Sequence, residues 1–244
     1  MNKPYYSLGL MSGTSMDGVD ASIIQSDGET KYKVILDKYF KYPYVIYKNL
    51  INLRDKIENS EDLKNFTKEI GEIEKKITLF HGEASAEITK KARVNIDFIG
   101  FHGQTIFHNS NENISKQLGD GKLLSKITKK TVIYDFRKND LKNGGEGAPL
   151  TPIFHKLLAE QKKINLPVII LNLGGIANYT IIQNHKELKK NLLISKDSGP
   201  GNCLIDQWIR KKTNKAYDDG GKIARLGKIN KEILTQVLIS NVKK

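Results

Sequence analysis

The stretch Tyr5-Tyr6-Ser7-Leu8-Gly9-Leu10-Met11-Ser12-Gly13-Thr14-Ser15-Met16-Asp17-Gly18-Val19-Asp20 decides the fold. Residues 5–10 are aromatic and apolar. Residues 13–18 carry turn formers with a glycine at each end, and residues 19–25 are again strand-forming. An apolar strand, a tight turn and a return strand make a β-hairpin. Residues 32–39 (Tyr-Lys-Val-Ile-Leu-Asp-Lys-Tyr) add a third strand. The close spacing of the three predicts a sheet that starts antiparallel.

Beyond the hairpin the period changes. From 45 to 92 the pattern is helical: Leu63, Phe66, Ile70, Ile73, Ile77 and Phe80 recur at steps of three and four, one apolar face of a helix. Residues 97–101 form a short strand ending in the polar cluster Gly100-Phe101-His102-Gly103-Gln104-Thr105, which fits a crossover unit. A short helix is expected at 123–128, a strand at 131–135, a glycine-rich turn at 143–149 and a helix at 152–162, where Pro152 suits the first turn. A buried strand at 166–173 ends at Gly174-Gly175 and has a hairpin partner at 179–183. A polar connector follows at 184–190, then a strand at 192–196 and helices at 204–212 and 229–242. The chain therefore reads as α/β, with polar glycine loops at strand ends, where such proteins bind ligands.

Composition narrows the class. The 244 residues fit one large domain or two small ones, and 39% hydrophobic with 27% charged residues is globular rather than disordered. The single cysteine, Cys203, excludes a disulfide framework and a cysteine-based zinc site within one chain; it reads as a small core residue. Apolar runs such as 166–173, interrupted by Pro167, fall short of the roughly 20 residues of a membrane helix. The N-terminus, Met1-Asn2-Lys3-Pro4-Tyr5-Tyr6, lacks the charged and apolar regions of a signal peptide, so a cytoplasmic protein is expected. The net charge of +13 invites a nucleic-acid reading, but only five of the 40 basic residues are arginine and the lysines are scattered in pairs. Nucleic-acid readers lean on the arginine fork, so the charge is read as solvated surface, with no nucleic-acid or membrane partner expected.

Four motifs carry chemistry. Around Gly13, Thr14, Ser15, Met16, Asp17, Gly18, Val19 and Asp20, glycines let backbone N–H groups approach an anion and hydroxyls add donors. Asp17 and Asp20 are residue types that hold a metal bridging phosphates, and equally those of an ordinary hairpin loop. The loop is not a Walker A sequence, and no Rossmann fingerprint follows a strand. In Asp197-Ser198-Gly199-Pro200-Gly201-Asn202 the aspartate is placed as a general base at a strand end, or Asp197 or Ser198 simply caps the helix. His102 and His108 lack a third metal ligand, while Gln104 and Thr105 suit hydrogen bonds to a polar ligand. Arg137 either pairs with Asp135 or Asp140 in a buried ion pair or binds an anionic substrate group.

Together these loops resemble the anhydro-N-acetylmuramic acid kinase family. The matching stretches are 9–20, 100–105, 135–137 (Asp-Phe-Arg), 144–150 (Gly-Gly-Glu-Gly-Ala-Pro-Leu), 172–178 (Asn-Leu-Gly-Gly-Ile-Ala-Asn) and 197–202, in the family's order. The resemblance implies the actin-like ATPase fold of sugar kinases and Hsp70, with two α/β lobes: residues 1–130 as the N-terminal lobe bearing the phosphate-binding hairpin, and 131–244 as an incomplete second lobe bearing Asp197. It implies ATP with Mg²⁺ and phosphorylation of 1,6-anhydro-N-acetylmuramic acid, with hydrolytic opening of the anhydro ring to N-acetylmuramic acid 6-phosphate in cell-wall recycling. Residues 13–20 become the phosphate-binding hairpin and Asp197 the base that activates water; Gln104, Arg137 and Asn178 become substrate or lobe-closing contacts. No metal ligand is assigned with them. The family's Lys-Ser-Thr-Gly-Arg segment, adenosine loop and returning C-terminal helix do not occur in the 244 residues, so the alternative expectation is a truncated or split-gene remnant of that kinase, inactive alone because the adenosine-binding segment is missing. The family is dimeric, so a homodimer or a complementing C-terminal polypeptide is the expected partner.

Overall fold

The computed structural model describes residues 4–185 and 190–242. The expected hairpin forms: β1 (Tyr5–Ser12) pairs antiparallel with β2 (Gly18–Ser26), and β2 with β3 (Tyr32–Lys41). Period-two alternation sends Leu8, Leu10 and Ser12 of β1 to the core face, with Val19, Ala21 and Ile23 of β2. Ser12 thus lands in an apolar layer because of its place in the strand.

The helical stretch divides into α1 (Tyr44–Lys56), α2 (Asp62–Asn65) and α3 (Thr67–Ala92). The interruption has a local cause. Asp62 accepts the backbone N–H groups of Glu58 and Asn59, and Asn59 accepts those of Glu61 and Asp62. These side-chain bonds compete with the helical ladder. Ile70, Ile73, Ile77 and Ile88 of α3 join the hydrophobic core with the strand residues Leu8, Leu10 and Ile23. Arg93 ends the helix in the left-handed region at φ 56°.

The 97–101 strand is longer than expected. β4 runs Phe98–Asn109, straight through the polar cluster expected to be a loop. It continues because partners exist on both sides. β1 lies parallel to it on one edge. On the other, β6 (Thr131–Tyr134) pairs with its first half, and β5 (Ile114–Leu118), absent from the sequence reading, pairs with its second. The six-stranded sheet is ordered β3-β2-β1-β4-β5, with β6 beside β4. α4 (Gly121–Thr128) starts where the Asp120 carboxylate accepts the N–H groups of Lys122 and Leu123. α5 (Phe136–Lys142), also missed, follows β6 directly.

α6 (Pro152–Gln161) opens on its proline as expected. It leads to an antiparallel sheet of β7 (Val168–Leu173), β8 (Ile176–His185) and β9 (Lys190–Pro200). The expected connector at 184–190 lies largely in β8, β9 and the residues outside the described set. Two expectations fail here. β7 is not buried: it is an edge strand whose Ile169, Leu171 and Leu173 are exposed. β9 does not end at Lys196 but continues through Asp197 to Pro200, paired with β8. Buried Thr180 and Ile182 lie on β8, and His155 of α6 hydrogen-bonds Thr180 at 2.8 Å.

The chain divides into two compact units, Met1–Gly201 and Asn202–Lys244. The second holds α7 (Cys203–Lys212), a 3-10 turn (Asp219–Gly221), α8 (Lys222–Leu226) and α9 (Lys231–Val242). The Asp218 carboxylate accepts the N–H groups of Ile223 and Ala224 and so starts α8. Neither the turn nor α8 was expected. Cys203 is half-buried.

Candidate functional site

The hairpin turn between β1 and β2 is tightly wound. The Met16 N–H donates to the Gly13 carbonyl at 3.1 Å, and Met16 itself is buried with φ 58°. Thr14 and Ser15 are exposed at the tip, and the Ser15 hydroxyl donates to Asp17. Gly18 allows close packing: a Cβ there would collide with the Phe40 carbonyl and the Tyr39 ring. Val19 is in the core. Burial and the negative charge of Asp17 both push the Asp20 carboxyl up from its ordinary value. The turn thus sets two carboxylates within electrostatic reach of each other beside exposed hydroxyls.

Gln104 reaches this turn from β4. It is fully buried, and its side-chain N–H donates to the Gly13 carbonyl at 2.8 Å. Its Oε1 has no hydrogen-bond partner among the described residues. The Thr105 hydroxyl meets Gln117 of β5 at 3.2 Å.

Two residues earlier, the same strand reaches Arg137. The register passes from Leu10 opposite Phe101 to Met11 opposite Gly103, so His102 is the extra residue of a β-bulge. Gly103 adopts φ +73°, and a Cβ on it would run into the Leu118 carbonyl. The bulge re-aims the His102 ring. His102 Nδ1–H donates to the Gly103 carbonyl at 2.8 Å, which leaves Nε2 to accept from Arg137 Nε–H, also at 2.8 Å. Burial and then the Arg137 charge pull the His102 pKa down to about 4, so the ring is neutral. Arg137 Nη1–H also donates to the Gly147 carbonyl at 2.8 Å, and the Gly147 N–H donates to Asp140 at 2.8 Å. The expected ion pair of Arg137 with Asp135 or Asp140 is therefore replaced by neutral partners, with Asp140 folding the glycine-rich loop back.

A second bulge positions Asp197. Ala177 lies opposite Gly199 and Asn178 opposite Asp197, which leaves Ser198 as the extra residue of β9. The Ser198 hydroxyl donates to the Ala177 carbonyl at 3.1 Å. Neither Asp197 nor Ser198 caps a helix; α7 begins at Cys203, preceded by Asn202. Asn172 of β7 lies opposite Asn178, so Asn172, Asn178 and Asp197 form one row across the sheet on one face. The exposed Asp197 carboxylate opposes the downward pull of burial on both Arg137 and His108. The acid thus lies within electrostatic reach of both the guanidinium and the imidazole. His108 in turn is 3.0 Å from the Ser115 hydroxyl.

β4 is the hub: Gln104 joins it to the hairpin, and His102 joins it to Arg137, whose charge feels that of Asp197. The sequence reading held Gln104, Arg137, Asn178 and Asp197. It missed His102 and His108 as neighbours of Arg137, and Asn172. A histidine next to a glycine within an apolar strand was the available signal of a bulge. Among the described residues no group of three or more His, Cys, Asp or Glu side chains is arranged to hold a metal. No described helix is long and apolar enough to cross a membrane.

A mixed α/β frame agrees with what sequence comparison finds. The chain belongs to the anhydro-N-acetylmuramic acid kinase family, whose description matches residues 5–242. The anhydro-N-acetylmuramic acid kinase of Pelagibacter ubique is 58% identical over 251 residues, covering 100% of this chain and 66% of the relative. That of Agrobacterium fabrum is 39% identical over 246 residues, covering 96% and 63%. That of Gluconobacter oxydans is 36% identical over 234 residues, again covering 96% and 63%. The chain spans just under two thirds of the length of these relatives.

Proposed function

We propose that the chain acts as an ATP-dependent kinase on 1,6-anhydro-N-acetylmuramic acid, opening the anhydro ring with water and yielding N-acetylmuramic acid 6-phosphate in peptidoglycan recycling and amino-sugar metabolism, in the cytoplasm. The frame in this reading is the actin-like ATPase fold. Residues 1–130 belong to the first lobe with the six-stranded sheet, which also takes in β6, and the three-stranded sheet belongs to the second. The observation that carries the reading is the junction at β4, where one strand touches both the hairpin, through Gln104, and the Asp197–Arg137 cluster, through His102.

The hairpin suits a triphosphate by its donor set. Exposed Thr14 and Ser15 offer hydroxyls and backbone N–H groups. Asp17 and Asp20, whose charges repel, are the residues that would hold a divalent cation beside the phosphates. ATP bound at the hairpin would supply the phosphoryl group, and a Mg²⁺ held by Asp17 and Asp20 would supply charge neutralisation. Asp197 accepts a proton from water as the water oxygen bonds to the anomeric carbon. The bond from that carbon to O6 breaks with its electron pair left on O6, which becomes the phosphoryl acceptor. Arg137, fixed by His102 and Gly147, offers its charge to the sugar, as Asn178 offers its amide beside Asp197. Gln104, wholly buried, holds the hairpin.

The test is ADP release with ATP, Mg²⁺ and the anhydro sugar, beside Asp197→Asn. The chain is assayed alone and mixed with a polypeptide carrying the remaining third of the relatives, which separates a self-sufficient enzyme, homodimeric or not, from one that needs a complementing partner. Asp197→Asn is expected to lower turnover by about a hundredfold or more. Undiminished turnover in the variant refutes the base assignment, and no turnover in either setting from folded protein refutes the kinase reading.

A further inference from the structure

A buried polar chain at the base of the hairpin takes no part in the chemistry above. Ser12, the last residue of β1, is 1% exposed; Tyr42, just after β3, is 3% exposed; His81, in the middle of α3, is 0% exposed. His81 Nδ1–H donates to the Ile77 carbonyl at 2.8 Å, which leaves Nε2 as an acceptor. The Ser12 hydroxyl, 3.2 Å away, donates to it, and the Tyr42 hydroxyl donates to Ser12 Oγ at 2.8 Å. This single assignment of protons satisfies all three side chains. The rings are seated against aromatic neighbours, His81 edge-on to Phe101 at 4.9 Å and Tyr42 5.1 Å from Phe80. Three apolar side chains would fill the same space with no polar atoms to satisfy. The chain's value lies in direction, because a fully satisfied buried network admits one arrangement.

What it directs is the turn. Ser12 immediately precedes Gly13. The backbone N–H of Tyr42 donates to the Asp17 carbonyl at 2.8 Å, and Gln104 donates to the Gly13 carbonyl. The exposed tip at Thr14 and Ser15 is thus held on both flanks by groups fixed in the core. We infer that Ser12, Tyr42 and His81 are positioning residues that lock the hairpin, from helix α3, into the shape in which its exposed donors meet an anionic phosphate group. The inference rests on the phosphate-binding reading of residues 13–20. Preformed donors bind without first having to be ordered, so the effect falls on ligand affinity rather than on overall stability alone.

The test uses Tyr42→Phe, which removes one oxygen and keeps the ring and the backbone bond to Asp17. Ser12→Ala and the pair His81→Leu and His81→Gln accompany it. The Gln amide oxygen offers an acceptor where Nε2 stood. Two readouts are taken: amide hydrogen exchange at Met16 and residue 42, the protected N–H groups of the turn, against Leu10 and Ile99 in the sheet; and ATP affinity by calorimetry without sugar. Tyr42→Phe is expected to speed exchange at Met16 and residue 42 by about tenfold, leave Leu10 and Ile99 unchanged, and weaken ATP by about tenfold. His81→Gln is expected to stay near the unsubstituted protein where His81→Leu does not. Unchanged turn exchange in folded Tyr42→Phe overturns the inference. So does equal loosening of turn and sheet, which marks a merely structural role. If the unsubstituted chain binds no ATP, the phosphate reading fails, and the exchange data still decide whether the network holds the turn.

Discussion

Lowering the pH from 7 to 5 is expected to destabilise the protein through two histidines that the fold refuses to protonate. His81 is sealed in the core and His102 is buried beside the Arg137 guanidinium; both are pulled down to about 4 from an ordinary 6.5. Desolvation dominates in each case. The unfolded chain takes up protons that the folded chain rejects, so this stability is complete above pH 6.5 and is lost as pH falls from 6.5 towards 4. Each ring costs about 1.4 kcal/mol per pH unit within that window. At pH 5 the loss is about 2 kcal/mol per ring and about 4 kcal/mol for the pair, a large part of the roughly 5–15 kcal/mol that holds a domain folded. His108 and His155, also lowered by burial, act in the same direction, whereas the raised Asp20 works against them. The lowered carboxyls of Asp62 and Asp218 contribute only at more acidic pH, as they are protonated below the ordinary carboxylate range. The assay is the urea midpoint at pH 7, 6 and 5, with His81→Gln as the control expected to remove about half the slope. A midpoint that is level between pH 7 and 5, or higher at pH 5, refutes the reasoning.

Other outcomes follow from single contacts. Gly103→Ala places a Cβ against the Leu118 carbonyl at φ +73°, and should cost more than about 2 kcal/mol in urea unfolding while Gly28→Ala, with open space around it, costs less. Arg137→Leu strips His102 Nε2 and the Gly147 carbonyl of their donor. A stability loss of about 1–3 kcal/mol is expected. The same change removes the charge that helps depress His102, so its imidazole should titrate at higher pH when followed by NMR.

The legible parts of the fold were those written in local pattern. The hairpin, the third strand and the helices around Ile70–Ile88 follow from period-two and three-to-four-residue spacing, and Pro152 marked the start of α6. The candidate residues Asp197, Asn178 and Gln104 were visible as polar groups near glycines, and Arg137 as an arginine flanked by Asp135 and Asp140. Their roles were less so. Gly100–Thr105 has the composition of a loop, yet β1, β5 and β6 supply hydrogen-bond partners that keep it in a strand. Residues 166–173 have the composition of a buried strand, yet form an exposed edge.

The sequence by itself thus determined the first hairpin, the third strand, the long apolar helical face and the start of α6, and which residue types are available for chemistry, because short-range backbone preference and side-chain period act within a few residues. Only the tertiary structure decided which of those residues meet. The bulge at His102 turns its ring to an arginine 35 residues away. The bulge at Ser198 sets Asp197 opposite Asn178, within electrostatic reach of Arg137. Ser12, Tyr42 and His81 converge in the core from a strand end, a loop and a helix. Each of these meetings depends on strand register and on packing between distant segments, and neither is encoded in any one stretch of the chain.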